Sequence, residues 1–306
     1  MKFDQASATA RFVSNGIYWV SQHPALSVEV PEPMARATSE LTRCLLEARS
    51  LRPRWLARRL LLYTAGLMQA AALPGIYLHQ VLRKRLIESL AERAIAEGTR
   101  QVVVLGAGFD TLSLRLAQRH PECRVLEVDH PATQHAKRSL LELSTLPTGA
   151  CRFLPVDLGE ATLPCALAAC PDHDPRRPTL FIIEGVTMYL QERAIRALLE
   201  VVARYPEGSA LLFTYMEEFR PGCFEFQNAR RVASWWLALR HERFTWGIHP
   251  DRLPEFLSES GFGLRLHRTV EQLRDEFLTP ANHGARLAVG EHTALVAPTR
   301  YPEASL

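Results

Sequence analysis

The segment from residue 102 to residue 129 constrains the fold of this chain more than any other part of its sequence. An apolar run from Val102 to Leu105 is followed by Gly106-Ala107-Gly108, an amphipathic stretch, and a second apolar run that ends at Asp129. This order of strand, glycine loop, helix, strand and acid is typical of a βαβ unit. Glycine lets the backbone approach a ligand closely, and an acid at the end of the second strand can hydrogen-bond both hydroxyls of a ribose. The segment therefore predicts a nucleoside-bearing cofactor at the carboxyl ends of parallel strands.

The residues of the glycine loop favour S-adenosylmethionine over a dinucleotide. A dinucleotide fingerprint would have its third glycine at the position of Thr111. Asp110, at the start of the following helix, would repel a pyrophosphate and suits a cation. S-adenosylmethionine carries a sulfonium and an ammonium and has no phosphate, so a dinucleotide oxidoreductase is disfavoured. The alternative is that the two glycines serve only the geometry of a βα turn.

Four motifs carry a resemblance to a known family. They are VVVLGAGFDTLSLRL, VLEVDHPATQHAKRSL, FLPVDL and PTLFIIEGVTMYL. In this order and spacing the chain resembles the leucine carboxyl methyltransferase family from Arg83 to its end, whereas the residues before Arg83 match poorly. That family includes enzymes that methylate a protein's terminal leucine carboxylate and many bacterial O-methyltransferases of small molecules.

Pattern and resemblance together predict an α/β fold. We expect a Rossmann-like class I methyltransferase sheet of seven strands, mostly parallel with the last one antiparallel. An N-terminal helical cap should cover residues 1–98, and the cofactor-binding core should cover 99–306, with a helical insertion at 217–246 after strand 5. Residues 1–30 are expected to be short and irregular. Strands are predicted near 101–105, 124–128, 151–155, 179–184, 209–215, 263–268 and 292–297.

Composition agrees with a single enzyme core and excludes some partners. The 306 residues are 47% hydrophobic, and 36 basic against 33 acidic residues give a net charge of +3, too mild to indicate nucleic acid. The six cysteines form no C-x-x-C pair, which favours free thiols in a reducing compartment. The longest apolar stretch is interrupted by polar residues, Pro and Gly, and no secretory signal is evident, so we expect no membrane partner. We therefore expect a cytoplasmic monomer or homodimer that binds a small molecule and no metal.

The resemblance also implies which residues contact S-adenosylmethionine. Gly106 and Gly108 would give backbone access to the amino-acid part, Asp129 would hold the ribose, and Glu184 would face the ammonium. Asp157 would accept the adenine amino group. The full set of implied cofactor residues is Arg83, Gly106, Gly108, Asp129, Asp157, Leu158 and Glu184.

Leu158 would pack on the adenine ring, and the guanidinium of Arg83 would clamp a carboxylate of cofactor or substrate with two hydrogen bonds. Alternatives stay open at several positions. Asp157 could serve only as a helix N-cap. Arg85 takes the clamp role if the alignment slips by two residues, and Glu127 could hold the ribose instead of Asp129.

The methyl acceptor is not identified by the sequence. Methyl transfer needs chiefly alignment of nucleophile, methyl and sulfur. A carboxylate acceptor needs no general base, whereas a hydroxyl would want one. We assign Arg83, Tyr189, Tyr18 and Trp19 to the catalytic pocket, with Tyr189 on the loop beyond the fourth strand and the other two aromatic residues in its wall. Weaker candidates for a base are His79, His130 and His249, and further aromatic residues near the site are Trp235, Trp236 and Trp246.

The N-terminal segment departs from the pattern of the small-molecule relatives, and that departure leaves three functions open. The principal expectation is O-methylation of a carboxylate or hydroxyl of a small molecule in secondary metabolism. A second possibility has no external acceptor: the amino group of S-adenosylmethionine attacks its own side chain and gives azetidine-2-carboxylate and methylthioadenosine. The third is a non-catalytic module that only binds S-adenosylmethionine.

Overall fold

A computed structural model of the chain describes residues 7–49, 53–158, 163–230 and 243–300. Helices precede the sheet and then alternate with its strands. Their order is α1 (Ala8–Gln22), α2 (Glu32–Arg49), α3 (Arg54–Ala72), α4 (Ile76–Ala96), β1 (Gln101–Leu105), α5 (Leu112–Arg119), β2 (Arg124–Asp129), α6 (Pro131–Glu142), β3 (Cys151–Pro155), α7 (Leu163–Ala169), β4 (Thr179–Ile183), α8 (Glu192–Val202), β5 (Ala210–Met216), α9 (Leu253–Glu259), β6 (Phe262–Arg268), α10 (Val270–Phe277) and β7 (Glu291–Pro298).

The seven strands form one sheet in the order β3-β2-β1-β4-β5-β7-β6. Strands β1 to β5 pair in parallel, and β7 runs antiparallel to both of its neighbours, β5 and β6. The predicted fold class is thereby confirmed. The strand order reverses between β1 and β4, and ligands of open α/β sheets bind outside the carboxyl ends of the strands at such a point.

The neighbouring strands β1 and β4 are buried on both faces, which explains their continuous apolar runs. Because side chains alternate along a strand, Val102 and Val104 join the hydrophobic cluster that includes Leu82 of α4. Val103 and Leu105 join the opposite cluster, which includes residues of α8 and α9. One face of the sheet is therefore covered by the N-terminal helices together with α5, α6 and α10, and the other by α7, α8 and α9.

The N-terminal cap is helical from residue 8 onward, so the expectation of an irregular segment over residues 1–30 is wrong for its described part. The Ser7 hydroxyl accepts a hydrogen bond from the Ala10 amide (3.1 Å) and caps the start of α1. Ile17 and Val20, three residues apart, bury one face of that helix. The helix α1 packs against α4, where the rings of Phe12 and Tyr77 have centroids 5.0 Å apart. This packing holds the start of α1 beside the carboxyl ends of the strands.

The predicted helical insertion after β5 is not helical where the structure describes it. Residues 217–230 and 243–249 form turns and irregular chain, while 231–242, with Trp235 and Trp236, lie outside the described residues. Across the described helices, none alone is long and apolar enough to cross a membrane; α3 and α4 pass that test only as a pair bent by 97°.

Candidate active site

A cavity of about 520 Å³ opens at the carboxyl ends of β1, β2 and β4, beneath the first turns of α1. This volume falls in the range of roughly 300–1,000 Å³ that is usual for ligand pockets. Eight residues predicted from the sequence line it together: Arg83, Gly106, Gly108, Asp129, Asp157, Leu158, Glu184 and Tyr189.

The glycine loop lies tightly between α1 and the turn after β4. Gly106 and Gly108 have φ angles of 71° and 56°, in the region that disfavours other residues. A Cβ atom on Gly108 would come 2.9 Å from the Cβ of Ala10, and one on Gly106 would overlap the side chain of Val186. Both glycines are thus required by backbone conformation and by close packing, and the backbone of the loop faces the cavity.

The two acids of β2 have different environments. The Asp129 carboxylate lies at the cavity, where its oxygens accept hydrogen bonds from the Gly108 amide and the His130 amide (2.6 Å). Since an ionised carboxylate offers about four lone-pair sites, it can accept further hydrogen bonds from a ligand. Burial raises the pKa of Asp129. The neighbouring backbone amides hold its side chain toward the cavity.

Glu127 is instead committed to the interior of the protein. It is fully buried, its two carboxylate oxygens each lie 2.7 Å from Nζ of Lys137, and one of them also accepts from the Ser113 hydroxyl. Glu127 does not line the cavity. The choice between the two acids, open in the sequence, therefore favours Asp129 as the acid available to a ligand.

Arg83 is the centre of a buried network of charges. Its Nε donates to Glu184 (2.9 Å), and its Nη1 donates to both carboxylate oxygens of Glu291 (2.7 and 2.6 Å). His79 Nε2 lies 2.9 Å from Oε2 of Glu291. The charge of Arg83 lowers the pKa of Glu291 to about 2, against the opposing effect of burial. Arg83 therefore binds two carboxylates of the protein itself. The sequence had led us to expect that it binds a carboxylate of the cofactor or substrate.

Arg85 points away from the cavity. Its Nη1 donates to the backbone oxygens of Glu29 (3.2 Å) and Phe277 (2.9 Å), and its guanidinium lies 4.9 Å from the centre of the Phe277 ring. Residues two positions apart on a helix do not share a face, so Arg83 faces the cavity while Arg85 packs against other parts of the protein. The structure therefore places Arg83, and not Arg85, at the site.

Lys84 and Glu291 are site residues that the sequence interpretation missed. Lys84 Nζ lies 2.7 Å from Asp110 and 2.8 Å from Glu184, and it is buried. Lys84 was missed because it stands in a run of basic residues that is typical of a solvent-exposed helix face. Glu291 was missed because it begins a strand far away in the sequence. The ion pair with Lys84 lowers the pKa of Asp110, whose Oδ1 accepts the Thr111 amide (2.6 Å). Asp110 is therefore an ion-paired residue that accepts backbone amides at the start of α5, rather than an isolated anion.

After β3, Asp157 and Leu158 line the cavity, with Asp157 near His130 (Oδ2 to Nε2, 3.8 Å). The alternative role of Asp157 as a helix cap concerns residues 159–162, which lie outside the described part.

The aromatic residues proposed for the pocket wall separate into two groups. Tyr189 lines the cavity, and its ring meets Phe244 edge-on at 5.4 Å. Tyr18 and Trp19 do not line it; Trp19 packs 5.9 Å from the Tyr77 ring, and the side chain of Tyr18 is buried in α1 packing. Their assignment to the site is corrected accordingly, because the helical turn of α1 directs earlier residues of that helix toward the cavity. His249 caps the turn before α9, and Trp246 packs 5.7 Å from Phe256.

A second cavity of about 100 Å³ adjoins the first. Five residues line both cavities: Thr9, Val13, Arg83, Gly185 and Tyr189. The remaining lining of the second cavity is mostly apolar and comes from α1, α3, α4 and the loops at Met188, 225–229 and Phe244. The larger cavity thus continues into a small apolar compartment.

The larger cavity has a formal negative charge. Four carboxylates face three cations in its described lining, which leaves one net negative charge: Asp110, Asp129, Asp157 and Glu184 against Arg83, Lys84 and Arg243. No group of three or more His, Cys, Asp or Glu side chains within the described ranges is placed to hold a metal.

Comparison with known proteins identifies a family. The sequence model of the leucine carboxyl methyltransferase family matches residues 25–203. A Frankia alni protein with the provisional name of S-adenosyl-L-methionine-dependent methyltransferase is 41% identical over 123 residues, which cover 40% of this chain and 42% of that protein. A Streptomyces coelicolor protein with the same provisional name is 43% identical over 132 residues, covering 42% and 44% respectively. The chain thus matches less than half the length of these curated relatives.

Two crystal structures share the fold. A DUF574 family protein from Streptomyces avermitilis superimposes with a TM-score of 0.60 at 17% identity, covering 97% of this chain and all of that one (100%). A structure from Thermobifida fusca, provisionally titled a methyltransferase, gives a TM-score of 0.52 at 19% identity, with 90% and 98% coverage.

Proposed function

The chain belongs to the leucine carboxyl methyltransferase family, and from this premise we propose that it is an S-adenosylmethionine-dependent methyltransferase that O-methylates a carboxylate or hydroxyl of a small molecule. The observation that carries the proposal is the position of Asp129. Its carboxylate lies at the end of β2 beside the glycine loop and borders a cavity of about 520 Å³.

The residues of the cavity fit this co-substrate. S-adenosylmethionine has a net charge of +1 from its sulfonium, ammonium and carboxylate, which complements the net negative lining. A pyrophosphate would be repelled by the same lining. We propose that Asp129 binds the ribose and that Asp157 and Leu158 bind the adenine. Glu184, held in place by Arg83 and Lys84, would face the ammonium.

Arg83 in this proposal is first a positioning residue. Its guanidinium orients the Glu184 carboxylate through contacts of 2.8–2.9 Å, and Glu291 fixes the guanidinium in turn. Because three nitrogens of the planar guanidinium contact the two carboxylates in a fixed fork, a lysine at this position cannot reproduce the arrangement. The larger cavity therefore depends on a charge network that reaches from α4 to β7.

The co-substrate would supply a methyl group on a positively charged sulfur, and the protein would supply alignment and a site shielded from water. The Tyr189 ring and α1 border the passage between the two cavities. The second cavity offers a place for an external acceptor, which supports transfer over internal cyclisation. A carboxylate acceptor is ionised at neutral pH and needs no base.

The proposal is tested by product analysis. The purified chain is incubated with S-adenosylmethionine, with and without a panel of small carboxylic acids and phenols, and the products are identified by mass spectrometry. We expect S-adenosylhomocysteine to appear only with an acceptor. Methylthioadenosine formed without any acceptor would instead support cyclisation. Tight binding of NAD but not of S-adenosylmethionine in calorimetry would refute the proposed co-substrate.

A further inference from the structure

The helix α3 presents its large apolar side chains to solvent. Its buried positions are held by alanines that lie seven or eight residues apart and therefore on one face: Ala57, Ala65 and Ala72. The outer face of α3 carries five large apolar residues, which are 37% to 66% exposed: Trp55, Leu56, Leu60, Tyr63 and Leu67. Large apolar side chains normally take the face of a helix that is turned toward the interior. The inverted arrangement of α3 makes its outer face a candidate contact surface.

The same helix is cationic. Arg58 and Arg59 are exposed, and the sequence of α3 contains no acidic residue. Arg59 stands four residues after Trp55 and four before Tyr63, so these three residues follow one another along one side of the outer face. Trp, Tyr and Arg each join an apolar body to a polar end, which suits them to the boundary between a membrane and water.

A third cavity extends this cationic surface. Its volume is about 360 Å³, and its lining includes Gln69 and Ala70 of α3 together with Arg230 and Arg286. Ala70 lies seven residues after Tyr63 and therefore on the same side of the helix. Within the described residues, no acidic side chain lines this cavity and neither guanidinium has an ion-pair partner. Two exposed guanidinium groups are thus available to a phosphate beside the outer face.

The charges identify the kind of surface that fits. A second copy of the chain would bring its own arginines and no acid from α3 to pair with them. A layer of anionic lipids offers phosphates to the guanidinium groups and an apolar boundary to the leucines and the tryptophan. Charge complementarity therefore favours the lipid surface over the second copy.

We propose that the outer face of α3 docks the protein on an anionic lipid surface. The helix lies in the plane of the headgroups, and the third cavity takes the phosphate of one lipid through Arg230 and Arg286. The expectation of no membrane partner rested on the lack of a spanning segment, and a helix that lies on the surface needs none.

Vesicle flotation tests the docking. The full chain is mixed with vesicles of phosphatidylcholine alone, or of phosphatidylcholine with phosphatidylglycerol, and its partition coefficient is measured at low and at high salt. We expect binding to the anionic vesicles only. Salt should weaken this binding, because it screens the attraction between the arginines and the lipid phosphates. Binding to neither kind of vesicle, or equal binding to both, would overturn the proposal.

Two pairs of variants locate the contact. Leu67→Ser changes the outer face, and its control Leu143→Ser changes a leucine of similar exposure directly after α6 (51% and 57%). Arg286→Gln changes the third cavity, and its control Arg265→Gln changes an exposed arginine of β6. Leu67→Ser should lower the partition coefficient about ten-fold and Arg286→Gln about five-fold. Both controls should partition like the wild type, and an equal loss in a variant and its control would contradict the assignment.

Further measurements distinguish other occupants of this surface. All four variants should unfold near the wild-type urea concentration, because the replaced side chains are exposed. If sedimentation velocity shows a dimer that Leu67→Ser dissociates, and vesicles are not bound, the outer face is a contact between copies and the proposal is overturned. It is also overturned if free glycerol phosphate abolishes vesicle binding that Leu67→Ser leaves unchanged, since the third cavity would then bind a soluble anion.

Discussion

The two acids of β2 allow a direct test of the proposed ribose site. Asp129 borders the cavity, whereas Glu127, two residues earlier, pairs with Lys137 in the interior. Asp129→Asn and Glu127→Gln each remove one negative charge and keep the side-chain shape. The structure predicts that Asp129→Asn lowers chiefly the affinity for the ligand and that Glu127→Gln lowers chiefly the stability of the fold.

The expected magnitudes follow from what each carboxylate contacts. Asp129→Asn removes a charged acceptor from the proposed ribose site, and losing such a hydrogen bond costs about 1.5–3 kcal/mol, or roughly 10- to 150-fold in affinity. Glu127→Gln leaves the fully buried Lys137 ammonium without its counter-charge. Breaking a buried ion pair in this way destabilises a protein by about 3–5 kcal/mol.

The assays are calorimetric titration with S-adenosylhomocysteine and urea denaturation of both variants beside the wild type. Asp129→Asn should lose affinity, and its stability should fall by less than that of Glu127→Gln, because only one of its two backbone hydrogen bonds is lost. Glu127→Gln should unfold at a lower urea concentration, and the part of it that is folded should retain wild-type affinity. A folded Asp129→Asn variant with unchanged affinity would show that this carboxylate does not bind the ribose.

Three further outcomes follow from the same geometry. Arg83→Lys should reduce kcat/KM severely, because a single ammonium cannot reproduce the planar fork by which Nε and Nη2 contact Glu184 while Nη1 contacts Glu291. Arg85→Lys should retain activity, and the reverse result in steady-state assays would contradict the assignment. Gly108→Ala should destabilise the protein by about 1–2 kcal/mol or more in urea denaturation, because the backbone there is left-handed and the added Cβ would contact Ala10 of α1. The control Gly149→Ala, whose added Cβ meets no neighbouring atom within 4 Å, should be nearly neutral. Because the folded-state pKa of Glu291 is lowered to about 2 from an ordinary 4.5, its contribution to stability should be present above pH 4.5 and decline as the pH falls toward 2. Between these two pH values the free energy of unfolding of Glu291→Gln should depend less on pH than that of the wild type, and an equal dependence would refute the role of Glu291.

The sequence by itself determined the sheet and many of the residues that line the larger cavity. Local patterns were sufficient there, since apolar runs, a glycine loop and acids at strand ends are each set within a few neighbouring residues. In a parallel sheet all such strand ends meet at one edge, so Asp129, Asp157 and Glu184 had to come together once the strands were recognised. The same locality explains why β1 to β7 were found near their predicted positions.

Only the tertiary structure decided the partners of the charged residues and the lining of the small cavity. The pairing of Arg83 with Glu291 joins positions 208 residues apart, and no local pattern specifies such a contact. Tyr18 and Trp19 looked like pocket residues because they are aromatic, yet in α1 Tyr18 is buried and Trp19 packs against Tyr77 of α4. The same packing brings Gln80 to a small apolar cavity. These outcomes depend on how helices pack against one another, which is set by the fit of whole surfaces and not by any short run of residues.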